Sequence, residues 1–231
     1  MITLNALAKT YGKKDNSFKA LHDISFEVSD KSTVAIIGKS GSGKSTLMHI
    51  MSGLDRPTSG TVVIDDVDIF KMKSKAIDNF RATEMSFIFQ AFFIEANQTC
   101  FQNVMLPLEI AEVSRTQRKQ LVIEALKAVE LHDKINNLAG SLSGGQKQRL
   151  AIARAIVNKP RILFADEPTG NLDSATGDKV MDLLFGLNKS LGCILVLVTH
   201  DAELAARCQT QIRLKDGVIE SITHAKKKQV T

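Results

Sequence analysis

The sequence predicts an α/β fold: a mixed, mainly parallel central sheet, an antiparallel β layer beside it, and a helical subdomain. Short β-branched runs alternate with longer helix-patterned segments. Three of the runs, Val34 to Ile37, Ile162 to Ala165 and Ile194 to Val198, read as buried strands. Each is followed at once by polar or Gly-rich residues, and in open α/β sheets ligands collect at the carboxyl ends of the strands, so these three ends are expected to share one site.

Taken in order, Ile2 to Leu7, Ala20 to Val28 and Thr61 to Ile69 read as strands joined by turns, as does a C-terminal pair around Asp216-Gly217. All of these are assigned to the antiparallel layer. From Cys100 to His132 the pattern is helical, with Ser114 and Gln117 spaced as a capping box before a helix running to about Glu130. The expected organisation is one domain over 1–231: a core plus β layer over about 1–90 and 160–223, a helical subdomain over about 91–159, and a basic tail at 224–231.

The 231 residues are 44% hydrophobic, enough for a substantial core. The net charge of +5 comes from 30 basic residues interleaved with 25 acidic ones, and only Lys226-Lys227-Lys228 forms a run. Such dispersed basicity describes a solvated surface and argues against a nucleic-acid partner, while an acidic membrane surface or partner stays open. Cys100, Cys193 and Cys208 are far apart with no C-x-x-C pair, which suggests neither a disulfide framework nor a zinc site and favours a reducing compartment. The longest apolar stretch, Cys193 to Val198, is far too short to cross a bilayer. A soluble chain is expected, with any membrane role supplied by a partner.

Gly38-Lys39-Ser40-Gly41-Ser42-Gly43-Lys44-Ser45 fits the phosphate-binding loop (P-loop, Walker A) pattern, placed directly after an apolar strand and before the helical segment Thr46 to Met51. The glycines let backbone N–H groups turn toward phosphates, the helix start favours negative charge, Lys44 supplies a point charge for the β and γ phosphates, and Ser45 is placed to ligate Mg²⁺. Arg161 to Glu167 is an apolar strand ending in two carboxylates. Asp166 can hold the Mg²⁺ shell and Glu167 can polarise an attacking water, as phosphoanhydride hydrolysis requires. Leu142-Ser143-Gly144-Gly145-Gln146 opens a helix-patterned stretch to Val157, a second anion-binding helix start in a chain with one complete phosphate loop.

Together these segments resemble the nucleotide-binding subunit of ABC transporters over nearly the whole chain, and Leu142 to Gln146 resembles that family's signature sequence. The resemblance implies that the signature of one subunit closes over the ATP held by the phosphate loop of another, which resolves the puzzle of the second anion site. It also implies that Tyr11 stacks on adenine, that Gln90 senses Mg²⁺ and the attacking water, that His200 contacts the γ-phosphate, and that Asn171-Leu172-Asp173 crosses the dimer interface. By its residues alone that last segment is a turn and N-cap before a helix starting near Ala175. The implied cofactors are ATP and Mg²⁺. The implied partners are a second copy in an ATP-sandwich homodimer and an integral membrane permease, which would hold the subunit on the inner face of the cell membrane.

Glu167 to Asp173 and Asn103 to Leu108 are similar to the subgroup serving lipoprotein release, macrolide and peptide export, and the related cell-division complex. Two places depart from the family: Lys39, where Pro or a small residue is common, and Phe92 to Thr99, the segment that in the family meets the membrane subunit. The expected function is an ATP-hydrolysing subunit powering an export or mechanotransmission complex. The alternative is a soluble ABC-type ATPase or slow-turnover switch acting on a non-transport partner.

Overall fold

The structure, a computed structural model, describes residues 1–13 and 16–225, so the Lys226 to Lys228 run lies outside the described residues. By packing, the chain forms two units, Met1–Ile77 with Ile194–Thr231, and Asp78–Cys193.

The first unit contains two groups of strands. In the antiparallel group the order is β2-β1-β4-β5, with β1 at Ile2–Tyr11, β2 at Phe18–Val28, β4 at Ser59–Ile64 and β5 at Val67–Asp68. The register of β1 against β2 shifts between Leu4 and Leu7 and again beyond it, and Ala6 has φ of 46°. After these irregularities Leu7 and Lys9 are buried and alternate with partly exposed Ala8 and Thr10. The second group runs β10-β9-β3-β8, where β3 (Thr33–Ile37) and β8 (Ile194–Thr199) are buried at every position. That complete burial is the reason both read as unbroken apolar runs. Helix α1 (Lys44–Met51) follows β3 and buries Leu47, Met48, Ile50 and Met51.

The C-terminal hairpin departs from the sequence reading. β9 (Thr210–Lys215) pairs with β10 (Val218–His224) through the Asp216-Gly217 turn, but β9 lies parallel to β3, from Val34 opposite Thr210 to Ile37 opposite Arg213. It therefore belongs with the parallel strands and not with the antiparallel layer. Burial of Ile212 and Leu214 anchors it there. The choice of neighbour was made across nearly the whole chain, which local alternation cannot record.

Helix α2 (Ser74–Glu84) carries the chain into the second unit. There β6 (Met85–Phe89) pairs in parallel with β7 (Ile162–Asp166), and the fully buried Phe164 stacks on Phe87 at 5.3 Å between ring centroids. The helices are α3 (Cys100–Ile110), α4 (Arg115–Ala128), α5 (Gly144–Ile156) and α6 (Ser174–Leu191). The expected capping box before α4 does not form: the Ser114 hydroxyl donates to the Gln117 side chain at 3.0 Å and makes no cap bond to the helix backbone. Side-chain-to-side-chain bonding has displaced the cap. Complete capping boxes stand instead at Thr99 with Gln102 before α3 and at Ser143 with Gln146 before α5. Among the described residues no helix is long and apolar enough to cross a membrane.

Candidate functional site

In the first unit, strand pairing brings two of the predicted strand ends together. Ile37, which precedes the phosphate loop, lies opposite Thr199, which precedes His200. Gly38, Lys39 and His200 consequently line one cavity of about 200 Å³ with Arg213 of β9. The loop is braced from below by the hairpin turn, whose Gly217 N–H donates to the Ser42 carbonyl at 3.2 Å. Lys44 folds back over the loop, its Nζ donating to the Gly38 and Lys39 carbonyls at 2.9 Å each. Gly43, at the start of α1, has φ of 98°, and a Cβ there would come within 2.8 Å of Leu21 and 2.9 Å of the Ala20 carbonyl. Only glycine fits that turn without strain. It provides no side-chain cap, so the first turn of α1, which carries Ser45 and Thr46, opens toward the loop as a positive helix end.

Tyr11, at the end of β1, belongs to the same unit. Its hydroxyl donates to Asp55 Oδ2 at 2.7 Å. Burial, then the Asp55 hydrogen bond, raises the phenol pKa, while a Thr46 side-chain bond pulls it down. The Asp55 carboxyl is held below its ordinary range: burial acts to raise it, and the combined hydrogen bonds from Lys9, Tyr11 and the Arg56 backbone override that effect.

In the second unit, Gln90 leaves β6 beside the end of β7, since Phe89 lies opposite Asp166. Gln90 is held by Asn171, whose Nδ2 donates to the Gln90 carbonyl at 2.9 Å. Glu167 adopts φ of 46° directly after β7, a left-handed conformation that costs a non-glycine residue about 1–2 kcal/mol and is concentrated at functional positions. The fully buried Gln148 of α5 donates to the Pro168 carbonyl, tying that helix to the loop that follows the two carboxylates.

Ser143, Gly144, Gly145, Gln146, Asn171 and Asp173 line a wider groove of about 820 Å³ in the same unit. Gly145 permits the close approach of α5 to α6, where a Cβ would meet Thr176 Cγ2 at 2.5 Å. Asp173 caps α6, and bonds from the Thr176 hydroxyl and N–H hold its carboxyl below the usual range.

Within the first unit the predicted residues are Gly38 to Thr46, Tyr11 and His200; within the second they group as Gln90 with Asp166 and Glu167, and as Ser143 to Gln146 with Asp173. Asn171 belongs to the last two. Lys9, Asp55 and Gln148 were not singled out from the sequence. Nothing in the local pattern marks the first, because the irregular register of β1 is what turns Lys9 inward.

The Phe92 to Thr99 segment is fixed by two side chains. The buried Asn103 bonds the backbone of Glu95 through both its amide atoms and donates to the Thr99 carbonyl. Arg154 donates to the Phe92 and Phe93 carbonyls, and burial lowers the guanidinium pKa. Phe93 itself remains 65% exposed.

The family model described as ABC transporter matches residues 21–170. The chain is 43% identical over 219 residues to the lipoprotein-releasing system ATP-binding protein LolD of Syntrophotalea carbinolica, covering 95% of this chain and 96% of the relative. It is 42% identical to the uncharacterized ABC transporter ATP-binding protein YvrO of Bacillus subtilis, covering 94% of each. Among solved structures, the dimeric post-hydrolysis ATP-binding cassette MJ0796 bound to ADP and Pi superposes with a TM-score of 0.88 at 38% identity, covering 98% of this chain and 99% of that one. The α/β architecture, the order of the motifs and near full-length similarity agree: this chain belongs to the ABC transporter family and carries its ATP-hydrolysing cassette.

Proposed function

We propose that two copies of this chain close around ATP and Mg²⁺, each phosphate loop facing the other copy's signature, and that the closure drives an integral membrane permease. The observation that carries the reading is the adjacency of the β3 and β8 ends, which sets His200 against a phosphate loop whose helix starts without a cap. In this reading the loop N–H groups and Lys44 bind the phosphates, Tyr11 stacks on the base, His200 contacts the γ-phosphate, and Glu167 polarises the water. Ser45, Asp166 and Gln90 offer a hydroxyl, a carboxylate and an amide oxygen, a hard-donor set with few carboxylates that fits Mg²⁺ shared with phosphates. Mg²⁺ held by these residues would supply charge neutralisation to the phosphates.

Ser143 to Gln146 and Asp173 serve the partner copy's nucleotide, and the exposed Phe93 within the Phe92 to Thr99 segment meets the permease. The likeness to LolD supports a place in lipoprotein release or a related export or mechanotransmission system, on the cytoplasmic face of the membrane. The test is Glu167→Gln with ATP and Mg²⁺. Turnover is expected to fall about 10²–10⁴-fold, with an ATP-bound dimer accumulating on sizing chromatography. Native turnover in that variant removes Glu167 from the role.

A further inference from the structure

Lys9 is a charged side chain where the strand pattern calls for an apolar one. It is 8% exposed and stands in the inward register two residues after the buried Leu7. Burying an ammonium is unfavourable unless it is fully partnered, and a buried ion pair is seldom the best way to stabilise a fold. Here the partners are complete. Nζ donates to Asp55 Oδ1 at 2.6 Å and to the Arg56 carbonyl at 2.7 Å, and it sits 4.6 Å from the centroid of the Tyr11 ring. The carboxylate is shared: Oδ1 also accepts the Arg56 N–H, while Oδ2 accepts the Tyr11 hydroxyl.

We propose that Lys9 and Asp55 are positioning residues that lock Tyr11 as a fixed platform for a purine base. This rests on the reading of Tyr11 as the base-stacking residue. Asp55 pins the phenol at its far end, and the Lys9 ammonium occupies one ring face by cation–π attraction, so a base has the opposite face. The ring is 40% exposed yet anchored at its tip. An aromatic already held in its binding rotamer loses less freedom when a ligand stacks on it, so the lock converts ring contact into affinity.

The test is calorimetric titration of the full chain with ADP and, separately, with pyrophosphate, which has no base to stack. Tyr11→Phe keeps the ring and removes the anchor, and Asp55→Asn removes the charge at near-constant shape. Each is expected to weaken ADP binding about three- to tenfold, the effect of one hydrogen bond, with pyrophosphate affinity unchanged. The double variant should be weakened by less than the product of the two single effects, because both act on the same contact.

If Tyr11→Ala loses ADP affinity while Tyr11→Phe and Asp55→Asn bind like the native chain, the lock is refuted and stacking survives. If Tyr11→Ala itself binds ADP like the native chain, the stacking reading falls first. Tyr11 is the single tyrosine and there is no tryptophan, so ultraviolet titration of the phenol reports on this ring alone. Its apparent pKa should drop in Asp55→Asn, and an unmoved titration also refutes the lock.

Discussion

Helices α1 and α5 both begin where the sequence places an anion, and they begin differently. At α1 the cap is Gly43, with no side chain to offer and no acidic residue in the first turn. At α5 the cap is Ser143, whose hydroxyl accepts the Gln146 N–H at 3.4 Å while the Gln146 side chain accepts the Ser143 N–H at 3.0 Å. α6 goes a step further and supplies its own anion, Asp173. A helix end attracts negative charge through its unpartnered N–H groups. The bare start of α1 has no side-chain cap, which suits it to the role proposed above, a phosphate site assembled within one chain. The self-capped start of α5 has satisfied part of its demand locally. It is suited to meet an anion already held by something else, as a shared dimer site requires.

The largest expected effect falls on the cap of α1. Gly43→Ala places a Cβ against Leu21 and Ala20 at φ of 98°, and ADP affinity is expected to fall on the order of 100-fold by calorimetry, the equivalent of a strained backbone residue. Ser143→Arg should behave otherwise, keeping ADP affinity of the isolated chain within about twofold while ATP turnover drops by about two orders of magnitude. A parallel loss of ADP affinity would mean that both helix starts serve one pocket in one chain.

The smallest effect belongs to Asp173→Asn, since Asn is itself a good cap. Asp173 has a depressed pKa, so its charge contributes stability above the ordinary aspartate value of about 3.9, and that contribution is lost as pH falls through the lower folded value. The Tm difference between native and variant chains should close over that acid range. A difference that stays constant through it would show that hydrogen bonding alone, and not charge, makes the cap.

The phosphate loop was legible because glycine spacing and an unbroken β-branched run are local, and both express a local requirement: tight turning after a strand buried on two faces. The end of β8 was legible for the same reason. The C-terminal hairpin was not, because its alternation is equally compatible with either group of strands and only the pairing of β9 with β3 decides. Ser114 and Thr99 show the limit at shorter range. Both stand three residues before a Gln, yet the box closes only at Thr99, where Phe101 and Cys100 are also tied to Ile135 and Asn137 by backbone bonds. Lys9 was invisible for a third reason. A strand lysine reads as solvent-facing until the irregular register of β1 turns it inward and Asp55, 46 residues away, comes to meet it.

Arg154 lies in the last turn of α5, and Ser143 is that helix's cap. Thirteen residues of α-helix make a rod about 20 Å long, stiff along its axis because every turn is hydrogen-bonded to the next. One end of the rod grips the carbonyls of Phe92 and Phe93, and the other carries the signature. Such a rod does not absorb displacement by compressing. A displacement of the Phe92 and Phe93 backbone at one end would be carried along the axis to Ser143 at the other, so α5 has the mechanical form of a push-rod.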